Sequence, residues 1–452
     1  MQRSLKNSTA KIAIIGAGIS GLTAAFYLEK AGFDNISLFE KLSEVGGVLK
    51  TDFTNDCLIE QAAESIAKFP QSIFGLIDEI GLTNEVIEPV ASKFQLWVDG
   101  KMIAPPEGLR YMVPTNLVAF NKSNFFSNNG VQRILQEPKI SLIEKTENLT
   151  LKDFVVHRFG EEMYQRYAAP VYGGIFGYDA DKLSLQTVMP QLLNWVKQHG
   201  SITKAVQNLP QKSNTGAVYF SFKNGVQSFA DKLGKHLNKT NFFLNKPIKG
   251  ITKNNEKWLV NEQLFDKVII TTTATITASL IQKVQPALSH LLKKIQFKTA
   301  GILTFWYDEL LSEIDNNTSG ILLPVNEFPT FSAITFSSNK WSGRTKAGKR
   351  LLRLYIRDAD LIKQPKTLVE QKAIDLLKHL LKIEKKPTNT FLHWWPNSRP
   401  LYTTHHQQIV SKINYELAKT PNLYLGGCSY NGSGVASLVH QSKLLVEKIN
   451  NI

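Results

Sequence analysis

The sequence contains only two cysteines, Cys57 and Cys428, among its 452 residues. Two thiols cannot form a disulfide framework or a four-cysteine zinc site, and their scarcity predicts a reducing compartment. The sequence also lacks an uninterrupted apolar run of roughly eighteen residues, so no membrane-spanning helix is expected. We find no metalloprotease motif, no Walker lysine and no Ser-His-Asp order. The adjacent His405 and His406 would point to opposite faces of a strand, so they do not predict a metal site.

The amino terminus has some features of a secretory signal but lacks others. Met1–Ala10 is short, basic and polar, and it precedes the apolar stretch Ile12–Leu28. Gly16, Gly18 and Gly21 interrupt that stretch, and no small-residue cleavage pattern follows it. We therefore expect a cytoplasmic protein, with association at the cytoplasmic face of a membrane as an open alternative.

Positive charge exceeds negative charge, with 53 lysines and arginines against 38 acidic residues and a formal net charge of +15. The excess is concentrated in residues 341–400, which hold 14 basic and 5 acidic side chains. An anionic lipid surface, an acidic substrate and an ordinary solvated surface all remain open as explanations. Nucleic acid is not expected as a partner, because neither a recognised binding motif nor a groove-like pattern of interleaved aromatic residues accompanies the charge.

A glycine motif follows the first apolar strand. Gly16, Gly18 and Gly21 form a G-x-G-x-x-G pattern that opens a predicted helix, and Glu40 ends the next predicted strand. Gly16 permits a tight turn, Gly18 allows close approach of a pyrophosphate, and Gly21 allows helix and strand to pack closely. The helix N-terminus favours phosphate groups, and Glu40 can accept hydrogen bonds from ribose hydroxyls. The pattern predicts dinucleotide binding, but it does not by itself distinguish FAD from NAD.

The distribution of apolar segments predicts an interleaved α/β protein. We expect a Rossmann-like domain built from residues 1–90, 211–290 and 401–452. Residues 91–210 and 291–400 should form a mixed α+β substrate domain, with a helical insertion in the first of these segments. Within that insertion, glycines at 173, 174 and 177 predict a break in the helices.

Beyond the fingerprint, blocks along nearly the whole chain are similar in order to the FAD-dependent protoporphyrinogen oxidase family, within the flavin amine oxidoreductase superfamily. Gly46 and Gly47 resemble the second glycine motif of that superfamily. The blocks are Leu58–Ser65, Val98–Lys101, Pro105–Leu109, Phe154–Leu185, Ser221–Gly225, Gly320–Pro324, Phe336–Ser338, His393–Trp394, Pro400–Tyr402 and Tyr424–Gly432.

The resemblance implies FAD as cofactor and a Rossmann-like FAD-binding domain. It assigns to the cofactor site, besides the residues of the fingerprint, a set spread over the chain: Ile19, Ser20, Lys41, Gly46, Gly47, Val48, Ile248, Gly427 and Val435. Cys428 is expected to be a small filler near the flavin.

The resemblance further implies oxidation of a porphyrinogen, protoporphyrinogen IX or coproporphyrinogen III, in haem biosynthesis. Hydride would pass to FAD and molecular oxygen would be the final acceptor, so no general base is assigned. Gly174, Ile175 and Phe176 are candidates for the reacting pocket, with Phe331 and Leu354 as weaker ones. Family members usually carry an arginine that is thought to bind a propionate, and the nearest residues here are Lys93 and Phe94.

Three alternatives stay open. One is another amine oxidase or a desaturase of the same superfamily, and a second is a flavin-bound protein without activity that serves as a binding partner. A homodimer is also open.

Overall fold

The computed structural model describes residues 9–54, 56–209 and 218–450. The chain divides into two compact units. The first unit comprises Met1–Glu88, Val218–Phe297 and Gln408–Ile452, and the second comprises Pro89–Ala217 and Lys298–Gln407. These divisions fall a few residues from the boundaries expected from the sequence. The expected boundary between residues 210 and 211, and the basic start before residue 9, lie outside the described residues.

The strands and the helices are each numbered in chain order. The strands are β1 (Ile12–Ile15), β2 (Ile36–Phe39), β3 (Thr51–Thr54), β4 (Cys57–Glu60), β5 (Ile66–Ala67), β6 (Val86–Ile87), β7 (Lys93–Val98), β8 (Lys101–Ile103), β9 (Leu109–Arg110), β10 (Val113–Pro114), β11 (Tyr219–Phe222), β12 (Thr240–Phe243), β13 (Ile251–Asn254), β14 (Lys257–Val260), β15 (Gln263–Phe265), β16 (Lys267–Ile270), β17 (Phe297–Tyr307), β18 (Thr318–Leu322), β19 (Phe331–Phe336), β20 (Arg350–Ile356), β21 (Asn389–Pro400) and β22 (Leu423–Leu425). The α-helices are α1 (Ile19–Lys30), α2 (Ser72–Glu79), α3 (Leu117–Lys122), α4 (Asn128–Leu135), α5 (Leu151–Phe159), α6 (Glu161–Met163), α7 (Ala169–Phe176), α8 (Leu185–Val188), α9 (Pro190–His199), α10 (Ile202–Asn208), α11 (Gln227–His236), α12 (Ala274–Ile281), α13 (Pro286–Leu292), α14 (Ser337–Lys340), α15 (Lys366–Leu381), α16 (His406–Ala418) and α17 (Val435–Asn450).

A parallel five-stranded sheet organises the first unit, in the order β12-β2-β1-β16-β22. The central strand β1 is apolar at every position because both faces of the sheet are covered. Ile12 and Ile14 pack into one core with α1 and α17, whereas Ala13 and Ile15 pack into a second core with α12. The Rossmann-like α/β fold expected from the sequence is confirmed.

A mixed seven-stranded sheet organises the second unit, in the order β21-β17-β20-β19-β18-β7-β8. One face packs on the amphipathic helix α15 through alternate residues such as Leu303 and Leu354. The side chains between them, including Arg353 and Tyr355, therefore lie on the other face. The mixed sheet expected for the substrate domain is confirmed.

The helical insertion of the second unit differs from the sequence expectation at its glycines. Helix α7 continues through Gly173 and Gly174 rather than breaking there. A Cβ on Gly174 would lie 3.2 Å from Cδ2 of Leu322, so this glycine allows the helix to approach β18 closely. The helix ends at Gly177, whose φ of 61° is left-handed and favours glycine.

A buried ion pair ties the insertion together. Arg158, within the Phe154–Leu185 block of the resemblance, is fully buried and pairs with the fully buried Glu137. Oε1 of Glu137 also accepts from the backbone N–H of Ile202 at 2.9 Å, and Oε2 accepts from that of Thr203 at 3.0 Å. One carboxylate therefore holds α5 and the start of α10 together, so Arg158 has a structural role.

Within the described residues, none of the helices is both long and apolar enough to cross a membrane. The basic segment 341–400 does not form one continuous exposed surface. Arg344 and Arg353 are buried, and Nζ of Lys349 lies 2.6 Å from Oδ1 of Asp308. Binding of this segment to anionic lipid stays one open explanation of the charge, beside an acidic substrate and an ordinary solvated surface.

Candidate functional site

The first glycine loop joins β1 to α1. Gly16 has a φ of 106°, and its N–H donates to the Phe39 carbonyl at 2.8 Å. A Cβ on Gly21 would lie 1.9 Å from the Gly16 carbonyl oxygen, so only glycine fits there. A Cβ on Gly18 would meet nothing within 4 Å. The loop is thus closed on the side of the sheet and open at Gly18.

A second pair of glycines packs directly on the first loop. Gly46 forms a parallel bridge with Gly18, and its N–H donates to the Ala17 carbonyl at 2.8 Å. Both Gly46 and Gly47 have positive φ, 103° and 62°. A Cβ on Gly47 would lie 3.2 Å from Cα of Gly18. We call Gly16, Gly18, Gly21, Gly46 and Gly47 the glycine cradle.

Glu40 supports the cradle with its carboxylate. The residue is 9% exposed, Oε2 accepts from the N–H of Ala17 at 2.9 Å, and Oε1 accepts from that of Leu42 at 3.0 Å. Each oxygen retains a further lone pair. The acid at the end of β2 is therefore fixed beside the loop and can still accept hydrogen bonds from a ribose.

Five further cofactor candidates differ in how exposed their side chains are. The side chains of Ile19 and Ser20 are buried, so these residues offer backbone N–H groups at the start of α1, where the first turn lacks intrahelical partners. Lys41 and Val48 are exposed. Ile248 is half-buried, two residues after Lys246, whose N–H donates to the Glu40 carbonyl.

Thr271 is a residue of this region that sequence reasoning did not assign. Its hydroxyl lies 3.1 Å from the Ile15 carbonyl and 3.0 Å from the Gly16 carbonyl. A Cβ on Gly427 would lie 2.8 Å from the Thr271 carbonyl oxygen, so Gly427, at a φ of 100°, packs against the same residue. The sequence could have indicated Thr271 through its position directly after β16, because the carboxyl ends of parallel strands lie at the same edge of a sheet.

Val435 and Cys428 lie in the carboxyl-terminal part of the first unit. Val435 begins α17 and packs into the core with α1, where Oγ of Ser442 donates to the Ser20 carbonyl at 3.1 Å. Burial raises the pKa of the Cys428 thiol to about 11. A thiol with that pKa is almost fully protonated at neutral pH, which suits a packing role rather than a redox role.

The substrate candidates lie in the second unit. Gly174 packs against Leu322, the carbonyl of Ile175 accepts from Nη2 of Arg399 at 3.0 Å, and the Ile175 side chain is 59% exposed. Phe176 packs on the core of the helical insertion.

Lys93 and Phe94 begin β7, next to β18. Lys93 is exposed, and Nζ lies 4.0 Å from Oε1 of Glu107. Phe331 and Leu354, the two weaker candidates, are buried on the face of the sheet that packs against α15. They serve as core residues. Within the described ranges, no group of three or more His, Cys, Asp or Glu side chains could hold a metal ion.

The fold and the cradle define a class: an α/β protein with a glycine loop at a helix N-terminus, the arrangement that is typical of dinucleotide binding. The sequence profile of the flavin containing amine oxidoreductases matches residues 19–444. The chain belongs to this family, and it is an FAD-dependent oxidoreductase. The open space at Gly18 and the buried acid Glu40 fit the pyrophosphate and ribose of that cofactor.

Relatives with assigned activities match the chain over nearly its full length. Coproporphyrinogen III oxidase of Bacillus subtilis (strain 168) is 24% identical, over 96% of this chain and 97% of the relative. Protoporphyrinogen oxidase 2, chloroplastic/mitochondrial, of Arabidopsis thaliana is 25% identical, over 96% and 92%. The chain is thus similar to oxidases of both porphyrinogens.

Solved structures share the fold. A crystal structure from Exiguobacterium sp. 255-15, provisionally named a protoporphyrinogen oxidase, has a TM-score of 0.86 at 21% identity and covers 98% of this chain and 99% of that one. Putrescine oxidase bound to putrescine has a TM-score of 0.70 at 15% identity, covering 98% and 99%.

Proposed function

We propose that the protein oxidises a porphyrinogen, protoporphyrinogen IX or coproporphyrinogen III, to the corresponding porphyrin. The observation that carries the proposal is the similarity to porphyrinogen oxidases over 96% of the chain. This similarity includes the segments of the second unit, which a shared cofactor alone would not require.

The reaction removes six electrons and six hydrogens from the macrocycle, two electrons at a time. When bound, FAD accepts hydride from the substrate, and molecular oxygen takes the electrons onward as hydrogen peroxide. One porphyrinogen and three oxygen molecules thus give one porphyrin and three peroxides. The cofactor supplies this chemistry. The protein binds and orients the substrate and excludes water.

In this proposal the first unit holds the cofactor. Backbone N–H groups of Ile19 and Ser20 bind the pyrophosphate, and Glu40 binds the ribose. Lys41, Val48, Ile248, Gly427 and Val435 complete the cofactor site.

The second unit binds the substrate in this proposal. Gly174, Ile175 and Phe176 provide an apolar wall, and the exposure of the Ile175 side chain supports contact with a flat ring. Lys93 and Phe94 bind at the edge of the macrocycle. Lys93 is a point charge without the planar fork of an arginine, so it would bind a propionate by one contact rather than two.

The test uses the purified, FAD-loaded protein without oxygen. We expect either porphyrinogen to bleach the flavin absorbance, and admission of air to restore that absorbance while porphyrin fluorescence appears. Bleaching by putrescine or another amine, but by neither porphyrinogen, would favour the amine oxidase alternative. Absence of bleaching by every candidate substrate would overturn the proposed activity while leaving FAD binding intact.

A further inference from the structure

Three cationic side chains lie at one end of the seven-stranded sheet. Lys298 is near the start of β17, Arg357 directly follows β20, and Arg399 is near the end of β21. The three strands are neighbours in the order β21-β17-β20, and Gly301 of β17 pairs with Ile356 of β20. We call Lys298, Arg357 and Arg399 the cationic triad.

The triad lies beside the carboxyl end of α7. Nη2 of Arg399 donates to the Ile175 carbonyl at 3.0 Å, and a Cβ on Gly177 would overlap the Arg399 guanidinium. The triad therefore borders a segment that already contains the substrate candidate Ile175.

None of the three cations forms an ion pair within the part of the chain that the structure describes. Nη2 of Arg357 donates to the Leu323 carbonyl at 2.9 Å, and its buried Nε has no hydrogen-bond partner there. The nearby acids have other partners: Asp179 pairs with Lys182 at 3.1 Å, and Asp358 accepts from the N–H of Asp360 at 3.0 Å.

Holding these charges together is unfavourable. Burial lowers the pKa of Lys298, and the charges of Arg357 and Arg399 lower it further, against an opposing effect of Asp179 and Asp358. Burial also lowers the pKa of Arg357 and of Arg399. All three side chains are nevertheless half-buried rather than sealed. An anion at this position would offset the repulsion among the three cations.

We propose that the cationic triad binds propionate groups of the substrate and selects a macrocycle with four of them over one with two. The proposal rests on the porphyrinogen oxidation proposed above. Each arginine offers a planar fork that matches a carboxylate, and Lys298 adds a point charge. Coproporphyrinogen III carries a propionate on each of its four pyrrole rings and protoporphyrinogen IX on only two, so every edge of the former, but not of the latter, presents propionates to the three cations.

The experiment compares FAD-loaded wild type with Lys298→Gln, Arg357→Gln and Arg399→Gln. Dissociation constants for coproporphyrin III and protoporphyrin IX are measured by fluorescence quenching, and KM and kcat are measured with both porphyrinogens. We expect each variant to weaken coproporphyrin III binding on the order of tenfold, which corresponds to the loss of one charge-assisted contact, with a smaller effect on protoporphyrin IX. KM for coproporphyrinogen III should rise more than kcat falls, and Arg357→Lys should recover part of the loss.

The matched control is Lys372→Gln, which removes one positive charge from α15, at an exposed position on the helix-covered side of the same sheet. Its dissociation constants and KM should equal those of wild type. Lys298→Gln is the variant least at risk of misfolding. The Lys298 side chain makes no hydrogen bond or ion pair among the described residues, so its replacement leaves no group without a partner. Far-ultraviolet circular dichroism and flavin content check each variant.

The outcomes separate the two proposals. If wild type oxidises neither porphyrinogen and binds neither porphyrin, the proposed function fails. If wild type oxidises a porphyrinogen but all three triad variants match Lys372→Gln in binding and KM, the function stands and the triad proposal is overturned. Equal losses for the two porphyrins would overturn the selection for four propionates.

Discussion

In the first unit, the residues that meet at the glycine cradle contribute mostly backbone, whereas in the second unit the cationic triad consists of three long side chains. The cradle brings Gly18 against Gly46 and Gly47, and this close approach is possible because glycines have no Cβ atom. The triad takes one residue each from β17 and β21 and a third that directly follows β20, the other neighbour of β17. A site built from backbone groups suits a cofactor that a whole family binds, because substitution of side chains leaves the backbone groups in place.

The two units also differ in what stabilises the elements around these residues. Around the cradle, the parallel sheet is covered by apolar cores on both faces. In the helical insertion of the second unit, the fully buried pair of Glu137 and Arg158 links separate helices. We therefore expect loss of the buried Glu137 carboxylate to be the most damaging change around the helical insertion, and an added Cβ to be the most damaging change in the glycine cradle.

The largest effect on stability is expected for Glu137→Ala. The substitution leaves the Arg158 guanidinium buried and unpaired, and it removes the acceptor of two backbone N–H groups. We expect the free energy of unfolding to fall by about 3–5 kcal/mol, as measured by denaturant titration. Glu79→Ala, which breaks the exposed pair with Lys30, is the control and should change little. Equal effects of the two substitutions would contradict the structural role of the buried pair.

Gly21→Ala should be the next most damaging. The added methyl group would lie 1.9 Å from the Gly16 carbonyl, so the loop must move. We expect a loss of about 2–3 kcal/mol in stability together with weaker retention of FAD, read from flavin absorbance after gel filtration. Gly75→Ala, in α2 with open space around the added methyl group, should be neutral or stabilising by about 0.5–1 kcal/mol. A Gly21→Ala protein with full flavin content and unchanged stability would show that the cradle tolerates a Cβ.

Thr271→Val tests a side chain inside the backbone-built cradle. The valine keeps the volume but loses the hydroxyl that lies 3.0 Å from the Gly16 carbonyl. We expect a loss of about 1 kcal/mol in stability, by denaturant titration, because one hydrogen bond is removed. Thr275→Val, on the surface at the start of α12, is the comparison. If both variants behave alike, the hydroxyl of Thr271 does not support the loop.

The smallest effect is expected in the chemical reactivity of Cys428 and not in the stability of the protein. With a pKa raised by burial to about 11, the thiol stays protonated at neutral pH. In a Cys57→Ala background, alkylation by iodoacetamide should rise about tenfold per pH unit from about pH 7 to about pH 10, followed by mass spectrometry. The unfolded protein, whose thiol has an ordinary pKa, should level off at lower pH. The same early levelling in the native protein would contradict the buried position.

Local patterns predicted the parts of the fold that depend on neighbours in sequence. The fingerprint glycines, Glu40 and the strand–helix–strand order require only residues close along the chain, and the parallel pairing of β1 with β2 follows from them. The glycines at 173 and 174 misled the prediction of a helix break, because their small size serves packing against Leu322 rather than a turn. The same property of glycine supports both uses, and the sequence does not distinguish them.

The sequence by itself determined the dinucleotide loop and the α/β class, because both depend on residue types at short spacing. It also determined the family resemblance, because the order of short blocks along the chain can be read without the fold. Only the tertiary structure decided that Gly46 pairs with Gly18, that Thr271 lies against Gly16, and that Phe331 packs in a core. It also divided the basic residues between buried positions, ion pairs and the cationic triad. The residue types alone give the charge of these side chains. Whether a charge is exposed depends on strand order, because contacts between segments far apart in the chain determine which strands are neighbours.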